Sequence, residues 1–379
     1  MEVKSSYIYS NKRFPVFEKY IVPGLLQTEE GDIYYDLQSF VCTTSLWTSD
    51  LDVQSQFQKL PTVYEYPSKI REKVSKGLLS LVNIKKEKYE ICYSASGTDS
   101  VVNAINLSRQ ITGKRFVFVF NDQYHGKYGM LSGRSSVFQQ QQIYGEDIIV
   151  FPSLYNGIKV LTQLDQLLKH SIYTNNVASI LIEPFPIANG GGKFISNSTM
   201  EYIKKICDFY KIPLIIDEVQ SGFWRTGLSF SYMWYKLKPF AIAFGKSIAG
   251  GLPLYGTFFD SSFISKPPLR GFYSSTYAFS LAAGSVALQI LQRIPENFPQ
   301  IISNKGKYFD LAFKSAFSGK EYMRKGLLIS FPTEKTSEDF LKYNLFVRVI
   351  NNRLLLTPPL FTEDKIIRQM VERLKDAII

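Results

Sequence analysis

The chain has 379 residues, of which 45% are hydrophobic, 20% charged and 15% aromatic. This composition excludes a disordered chain and allows a large core with more than one structural unit. The formal net charge of +11 favours an anionic ligand such as a phosphate or carboxylate, or weak non-specific adhesion to nucleic acid, but no basic-aromatic module indicates specific nucleic-acid recognition.

The cysteine and histidine contents argue against a metal site and a disulfide framework. The three cysteines are scattered without C-x-x-C spacing: Cys42, Cys92 and Cys207. Only two histidines, His125 and His170, are present, and free thiols are compatible with the cytoplasm, where we expect the protein to act. The N-terminus lacks an apolar region, and glycines and a lysine interrupt the longest apolar tract, residues 240–259. We therefore expect neither a signal peptide nor a membrane span.

The first part of the chain is predicted to be mainly irregular. Residues 1–44 are interpreted as an arm with a small strand pair around the turn Glu30–Asp32, and residues 43–66 as loop and short helix.

Through the middle of the chain, strand-like runs alternate with amphipathic helices. The predicted strands are Tyr89–Tyr93, Arg115–Phe120, Asp147–Phe151, Val177–Glu183, Leu214–Asp217, Ala241–Phe244 and Leu254–Phe259. The predicted helices are Pro67–Leu81, Asp99–Ile111, Leu161–Lys169 and Thr199–Tyr210.

This alternation predicts an α/β fold with a mixed, mostly parallel seven-stranded sheet covered by helices. From Ser275 the pattern changes to a long helix and a smaller α+β segment. The predicted elements there are Leu281–Arg293, Leu327–Ser330, Leu345–Ile350, Leu354–Thr357 and Glu363–Ile378. We divide the chain into residues 1–44, the N-terminal part of a small domain, residues 45–274, a large domain, and residues 275–379, the C-terminal part of the small domain.

Two loops that follow predicted strands carry groups suited to a phosphorylated aromatic ligand. Ser96-Gly97-Thr98 lies between a strand and a helix, where glycine, hydroxyls and free helix N–H groups can bind a phosphate; an ordinary helix cap is the alternative. Tyr124-His125-Gly126 follows the next strand, and its tyrosine ring could stack on a planar heterocycle. A packed loop aromatic is the alternative there.

Two charged residues end buried strands. Asp217 needs a cationic partner, because an unpaired buried carboxylate is costly; a protonated pyridine nitrogen would serve, and a helix cap or salt bridge is the alternative. Lys246 lies among apolar and small residues that would lower its pKa and make it an imine-forming nucleophile; a solvated loop lysine is the alternative. Together the four features match the needs of pyridoxal 5'-phosphate (PLP).

These residues lie in motifs that resemble the class III (ω-type) aminotransferases of PLP fold type I. That family includes ornithine, acetylornithine and diamine aminotransferases and glutamate-1-semialdehyde aminomutase. Residues 217–227, DEVQSGFWRTG, are similar to the family motif DEVQTGFGRTG, and residues 245–251, GKSIAGG, are similar to its glycine-lysine motif. Further family motifs resemble residues 94–100, 124–126, 275–277, 324–327 and 356–360.

The resemblance implies a homodimeric aminotransferase with PLP sites at the subunit interface. It makes Lys246 the Schiff-base and proton-transfer residue and Asp217 the partner of the pyridine nitrogen, while Thr276 would reach the phosphate of the neighbouring subunit. The other implied cofactor contacts are Ser96, Gly97, Thr98, Tyr124, His125, Val219 and Gln220. An aminomutase of the glutamate-1-semialdehyde type, a racemase and a non-catalytic PLP-fold protein are the alternatives.

The departures from the family pattern concern the substrate pocket. The family arginine that binds an α-carboxylate is replaced by Leu355, and Arg353 lies two residues earlier, which allows the same face of a strand. The family's L-G-H-x-H-P segment is not recognisable, and Trp47 stands nearby. Glu183 falls where many members place an acid near the substrate. Trp47, Glu183 and Arg353 are therefore the substrate-residue hypotheses, and the donor and acceptor stay open.

Overall fold

The computed structural model describes residues 15–52, 66–82, 88–126, 147–263, 273, 275–318 and 321–378. The predicted arm over residues 1–14 and most of the predicted irregular stretch over residues 43–66 lie outside this part of the chain. Within the described ranges, no helix is long and apolar enough to cross a membrane.

The N-terminal segment forms three antiparallel strands. They are β1 (Phe17–Val22), β2 (Leu25–Thr28) and β3 (Ile33–Asp36). The predicted turn at Glu30–Asp32 joins β2 to β3. Strand β1 was not predicted, because its sequence, FEKYIV, has no regular alternation of polar and apolar residues. A single turn with left-handed backbone follows at Ser39–Cys42, where φ is 49°, 42°, 61° and 66°. Such angles cost non-glycine residues roughly 1–2 kcal/mol each, so the surrounding contacts must hold this turn.

A seven-stranded sheet forms the centre of the fold. Its strands are β4 (Tyr89–Ser94), β5 (Phe116–Phe120), β6 (Ile148–Phe151), β7 (Val177–Ile182), β8 (Leu214–Asp217), β9 (Ala241–Phe244) and β10 (Tyr255–Asp260). Their order is β4-β10-β9-β8-β7-β5-β6. Strands β5 to β9 pair in parallel, and β10 is antiparallel to β4 and β9. The predicted mixed, mostly parallel seven-stranded sheet is confirmed, and its antiparallel strand is the seventh in chain order.

Helices cover both faces of this sheet. They are α1 (Lys69–Ser80), α2 (Gly97–Thr112), α3 (Ile158–Leu168), α4 (Ser171–Thr174) and α5 (Asn197–Tyr210). The two faces of β8 show the arrangement: Ile215 packs in the same cluster as Val101 of α2, whereas Ile216 packs in the cluster that contains Ile203 of α5. All four residues of β8 are buried, which is expected of a central parallel strand with helices on either side.

The C-terminal segment adds strands to two smaller sheets. Its helices are α6 (Leu281–Arg293), α7 (Phe298–Phe313), α8 (Ser337–Leu341) and α9 (Asp364–Ile378). Its strands are β11 (Met323–Lys325), β12 (Leu328–Pro332), β13 (Leu345–Phe346), β14 (Arg348–Ile350) and β15 (Arg353–Leu356). Strand β13 pairs in parallel with β3, so both chain ends share the sheet β1-β2-β3-β13, and the other sheet has the order β11-β12-β15-β14.

Two features of this segment differ from the sequence interpretation. The predicted strand Leu345–Ile350 is two strands, because the chain leaves β3 after Phe346 and pairs with β15 from Arg348 onward. Helices α7 and α8 and strand β11 were not predicted. Pro299 lies in the first turn of α7, a position that proline favours, so the start of this helix carried a recognisable sequence pattern.

Candidate active site

The predicted site residues converge on one cavity of about 160 Å³ at the carboxyl ends of the parallel strands. It is lined by Gly97, Thr98, Tyr124, His125, Gly126, Glu183, Asp217, Val219, Gln220, Lys246 and Tyr255. The convergence follows from topology, because parallel strands place the loops after their carboxyl ends at one edge of the sheet. The candidate catalytic pair and most of the candidate cofactor contacts are thus brought together from distant parts of the chain.

Asp217 is buried and held in one orientation. Its Oδ1 accepts a hydrogen bond from the backbone N–H of Val219 (3.1 Å), and its Oδ2 lies 3.0 Å from Nδ1 of the buried His125. An ionised carboxylate can only accept, so the hydrogen bond requires the His125 proton on Nδ1. The Nε2 atom of His125 is buried and has no hydrogen-bond partner among the described residues. His125 therefore acts as an orienting neighbour of Asp217.

Lys246 follows β9 with a left-handed backbone, at φ 50°. Strain of this kind persists only where the surroundings enforce it, and here the next residue is anchored: the Ser247 hydroxyl donates to the Cys42 carbonyl (2.9 Å). Burial and the positive charge of Arg348 lower the pKa of Lys246 to about 8, against the opposing charges of Asp217 and Glu183. The lowered pKa makes the neutral amine, the form that acts as nucleophile and base, more abundant near neutral pH than it is for an ordinary lysine.

Glu183 lies at the end of β7, and its side chain is buried in the cavity wall. Its Oε2 accepts from the backbone N–H of Tyr124 (2.6 Å), and its own N–H donates to the Gln123 side chain (2.9 Å). Burial, together with the charge of Asp217, raises the pKa of Glu183 well above its usual value.

The opposite wall is the N-terminus of α2. The Ser96 hydroxyl accepts from the backbone N–H of Asp99 (3.1 Å), so Ser96 is the helix cap, while Gly97 and Thr98 face the cavity. Gly126 has φ +117°, and a Cβ there would lie 2.4 Å from Oγ1 of Thr98. Glycine is therefore required at position 126, because the loop approaches the N-terminus of α2 closely. The Thr98 hydroxyl and the free N–H groups of this helix terminus are the polar groups available on this side of the cavity.

Four of the predicted site residues are not among the described residues that line the cavity. Ser96 caps α2, and Thr276 is exposed in the single chain. Trp47 stacks on Tyr20, with ring centroids 4.6 Å apart. Arg353 donates from Nε to the Ser330 hydroxyl (2.8 Å) and from Nη2 to the Glu321 carbonyl (2.6 Å).

Tyr255 lines the cavity and was not predicted as a site residue. It begins β10, whose next residue, Gly256, pairs with Phe244 at the end of β9. The first residue of an antiparallel strand therefore meets the carboxyl edge of its parallel neighbour. The sequence predicted this strand but not its direction, and only the antiparallel direction brings Tyr255 to the site. Gly126, also in the lining, belonged to a recognised motif but was given no role.

Glu218 lies behind the cavity and is fully buried. Its carboxylate accepts hydrogen bonds from the Ser221 hydroxyl (2.7 Å), the Ser231 hydroxyl (2.8 Å) and the Tyr232 backbone N–H (2.7 Å). Burial outweighs these bonds and raises the pKa of Glu218 to about 7. This network fixes the segment that directly follows Asp217.

We expect Glu218 to make the folded protein less stable as the pH rises from about 4.5 to about 7. In that window the folded state keeps a proton that the unfolded chain has released, so the free energy of unfolding falls by roughly 3 kcal/mol. Urea midpoints measured across the window should show a shallower fall for Glu218→Gln than for the wild type. Glu201→Gln, on the exposed face of α5, is the control and should behave as the wild type; an unchanged slope in Glu218→Gln would contradict the expectation.

Comparison with known proteins decides the family. Residues 52–378 match the family model described as aminotransferase class-III. The chain belongs to the class III aminotransferases. The predicted family and enzyme class are confirmed: the protein is a transaminase that uses PLP.

Relatives and solved structures agree with this assignment. The chain is 23% identical to the acetylornithine aminotransferase of Haemophilus ducreyi over 356 residues, which cover 89% of this chain and 87% of that protein. It is 31% identical to the 5-aminovalerate aminotransferase of Pseudomonas putida over 212 residues, about half of each protein. The crystal structure of a transaminase from the marine bacterium Virgibacillus superposes with a TM-score of 0.86 at 19% identity, covering 100% and 96% of the two chains. This likeness confirms PLP fold type I.

The cavity fits PLP on the chemistry of its lining. Oε1 of Gln220 is buried, faces the cavity and has no hydrogen-bond partner among the described residues. The hydroxyl of PLP is a donor that could satisfy it. The carboxylate of Asp217 suits a ring N–H, and the N-terminus of α2 suits a phosphate. Among the described residues, no group of three or more histidine, cysteine, aspartate or glutamate side chains is placed to bind a metal ion.

Proposed function

We propose that the transaminase moves an amino group from an amine or amino acid to a carbonyl acceptor, with Lys246 as its covalent and proton-transfer residue and Asp217 as the partner of the cofactor's ring nitrogen. The observation that carries this proposal is the meeting of an amine of lowered pKa, a buried oriented carboxylate and a helix N-terminus in one cavity. Thr98 and Gly97 would hold the phosphate, Tyr124 and Val219 would contact the ring, and Gln220 its hydroxyl.

When bound, PLP supplies an aldehyde that condenses with amines and a ring that stabilises negative charge on the carbon bearing the donor's amine. The Nζ of Lys246 would move the proton of that carbon as a base and then as an acid, and the lowered pKa of the amine favours the neutral form that the first role requires. Asp217 would hold a proton on the ring nitrogen, with its carboxylate oriented by the hydrogen bond from His125 Nδ1.

The names of related proteins restrict the donor to two chemical classes. Relatives act on acetylornithine, 5-aminovalerate and 2-aminoadipate by name, all of which carry a carboxylate. A structural neighbour is an amine transaminase. Both classes of donor are therefore compatible with the proposed reaction, and the acceptor is a small carbonyl compound.

A donor and acceptor panel tests the proposed reaction. We expect a donor added to the holoenzyme to convert the cofactor to its amine form with release of a carbonyl product, and a carbonyl acceptor to reverse the change. Product formed without any acceptor would instead favour an aminomutase or a racemase, which can use the same residues. Absence of any cofactor absorption change with all donors would contradict the proposal.

We also propose a homodimer in which Thr276 of one subunit reaches the phosphate site of the other. The support is that Thr276 and its neighbour Tyr277 are exposed in the single chain, with Tyr277 75% exposed. We expect sedimentation to give the mass of two chains and Thr276→Ala to weaken PLP binding by about tenfold, the worth of one hydrogen bond to an anion. A monomer with full cofactor affinity would contradict both statements.

A cytoplasmic location is the remaining part of the proposal. All three cysteines lie in the described part of the chain and are free. Unpaired thiols are typical of proteins in a reducing compartment.

A further inference from the structure

Tyr255 brings a phenol to the wall of the cavity. The residue is half-buried, and its hydroxyl makes no hydrogen bond to any residue in the described part of the chain. A tyrosine hydroxyl can both donate and accept, and it usually has a partner when its ring is enclosed. The cavity is the place where a ligand can supply that partner.

Two glycines set the position of the Tyr255 ring. A Cβ on Gly245 would lie 2.0 Å from Cδ1 of Tyr255, and a Cβ on Gly97 would lie 3.8 Å from the same atom. Gly245 directly precedes Lys246, and Gly97 is the first residue of α2. The ring therefore lies between the backbone that leads into the reactive lysine and the helix terminus, and any side chain at position 245 would displace it.

The order of the strands separates two ends of the cavity. Asp217 ends β8, Lys246 follows β9 and Tyr255 begins β10, and these strands are neighbours in the order β10-β9-β8. Adjacent strands are about 4.8 Å apart, so two spacings, roughly 10 Å, separate the backbones of Asp217 and Tyr255. Tyr255 also pairs with Ser94, the last residue of β4, which leads into α2. Tyr255 and the N-terminus of α2 thus share the side of Lys246 that is away from Asp217.

We propose that the hydroxyl of Tyr255 donates a hydrogen bond to the phosphate of PLP and so supplies a cofactor contact from within the same subunit. The phosphate of PLP is carried on an arm that points away from the ring nitrogen. With the ring nitrogen at Asp217, this arm extends toward the N-terminus of α2, where Tyr255 lies. Burial raises the pKa of Tyr255, so the hydroxyl keeps the proton that it donates. A phenol adds a donor to the helix N–H groups without adding a charge.

The test compares two ligands that differ only in the phosphate, pyridoxamine 5'-phosphate and pyridoxamine. Neither ligand carries the aldehyde that reacts with Lys246, so dissociation constants measured by calorimetry on the cofactor-free chain report non-covalent binding. The proteins are the wild type, Tyr255→Phe and Tyr235→Phe. Tyr235 is a matched control, because it is also half-buried and its hydroxyl donates to the Ile195 carbonyl (2.8 Å). Urea midpoints show whether each variant keeps its fold.

We expect Tyr255→Phe to bind pyridoxamine 5'-phosphate about tenfold more weakly, since one hydrogen bond to an anion is lost, and to bind pyridoxamine within about twofold of the wild type. The phosphorus NMR resonance of PLP in the Tyr255→Phe holoenzyme should also shift. Tyr235→Phe should match the wild type with both ligands. The inference is overturned if Tyr255→Phe keeps its affinity for the phosphorylated ligand, or if it loses the same factor with both ligands, as a ring that only packs would.

The inference rests on PLP binding in this cavity, and its failure differs from failure of the proposed reaction. A wild type that binds neither ligand would overturn the placement of the cofactor. The donor and acceptor panel tests transamination independently, because these two ligands bind without any donor being converted. Unchanged ligand affinities in Tyr255→Phe would therefore overturn the role of Tyr255 while leaving the proposed reaction in place.

Discussion

Replacing Lys246 by alanine should abolish transamination, with a loss of about 10⁴-fold or more, because covalent attachment of the cofactor and proton transfer both depend on its Nζ. The visible absorption band of the bound cofactor should disappear at the same time. Stopped-flow and steady-state assays with a donor accepted by the wild type provide the measurement. Partial recovery by added methylamine, which can replace the missing amine, would identify the chemical role.

Lys305 offers a matched control for this expectation. It is also buried, burial likewise lowers its pKa to about 8, and its Nζ donates to the Leu360 carbonyl (2.8 Å). Lys305 is not among the described residues of the cavity. Lys305→Ala should keep activity within about threefold while losing roughly 1–3 kcal/mol of stability, because a buried carbonyl loses its donor. Equal loss of activity in both variants would mean that removing any buried lysine reduces activity, and that the effect is not specific to Lys246.

Replacing Arg225 by methionine should lower the free energy of unfolding by about 3–5 kcal/mol, the cost of breaking a buried network that contains charge. Arg225 is fully buried. Its Nη1 donates to the carbonyls of Leu327 (3.1 Å) and Pro358 (2.7 Å), and its Nη2 to the Ser45 hydroxyl (2.6 Å). One side chain thus satisfies acceptors from three separate parts of the chain. Methionine would leave the Leu327 and Pro358 carbonyls without this donor, while the Ser45 hydroxyl would keep its own bond to the Cys42 carbonyl (3.0 Å).

Urea unfolding followed by circular dichroism measures this effect. Arg225→Lys keeps a charge but lacks the planar fork, so we expect it to lose an intermediate amount of stability. Arg368→Gln, on the surface, should stay within about 0.5 kcal/mol of the wild type. A loss below about 1 kcal/mol in Arg225→Met would show that the neighbouring groups find other partners.

The sequence predicted the central sheet and the cofactor end of the site because both depend on local patterns. Apolar runs define β8 and β9, and the residues at their carboxyl ends, Asp217 and Lys246, must meet when parallel strands are neighbours. Helix α6 was predicted with the bounds that the structure has, since it begins at a capping serine and is followed by a proline.

The substrate side could not be predicted in the same way. Arg353 reaches Ser330 only because β12 and β15 pair in one particular register, and register between strands depends on the whole sheet. Arg353 stays the sequence-based hypothesis for a substrate residue, because spacing along one strand is what the sequence reveals. Trp47 packs on Tyr20, a contact between the N-terminal strands and the next segment that no short motif encodes.

The left-handed turn Ser39–Cys42 has a consequence for the order of folding. The Ser39 hydroxyl donates to the Thr357 carbonyl (2.5 Å), and the Thr357 hydroxyl donates to the Gln38 carbonyl (3.1 Å), contacts that join residues more than 300 positions apart. The Cys42 carbonyl then receives the Ser247 hydroxyl beside Lys246. Contacts of such long sequence separation form slowly, because the intervening loop must be closed first. A nascent chain still attached near its C-terminus would therefore have its central sheet but lack a finished catalytic pocket.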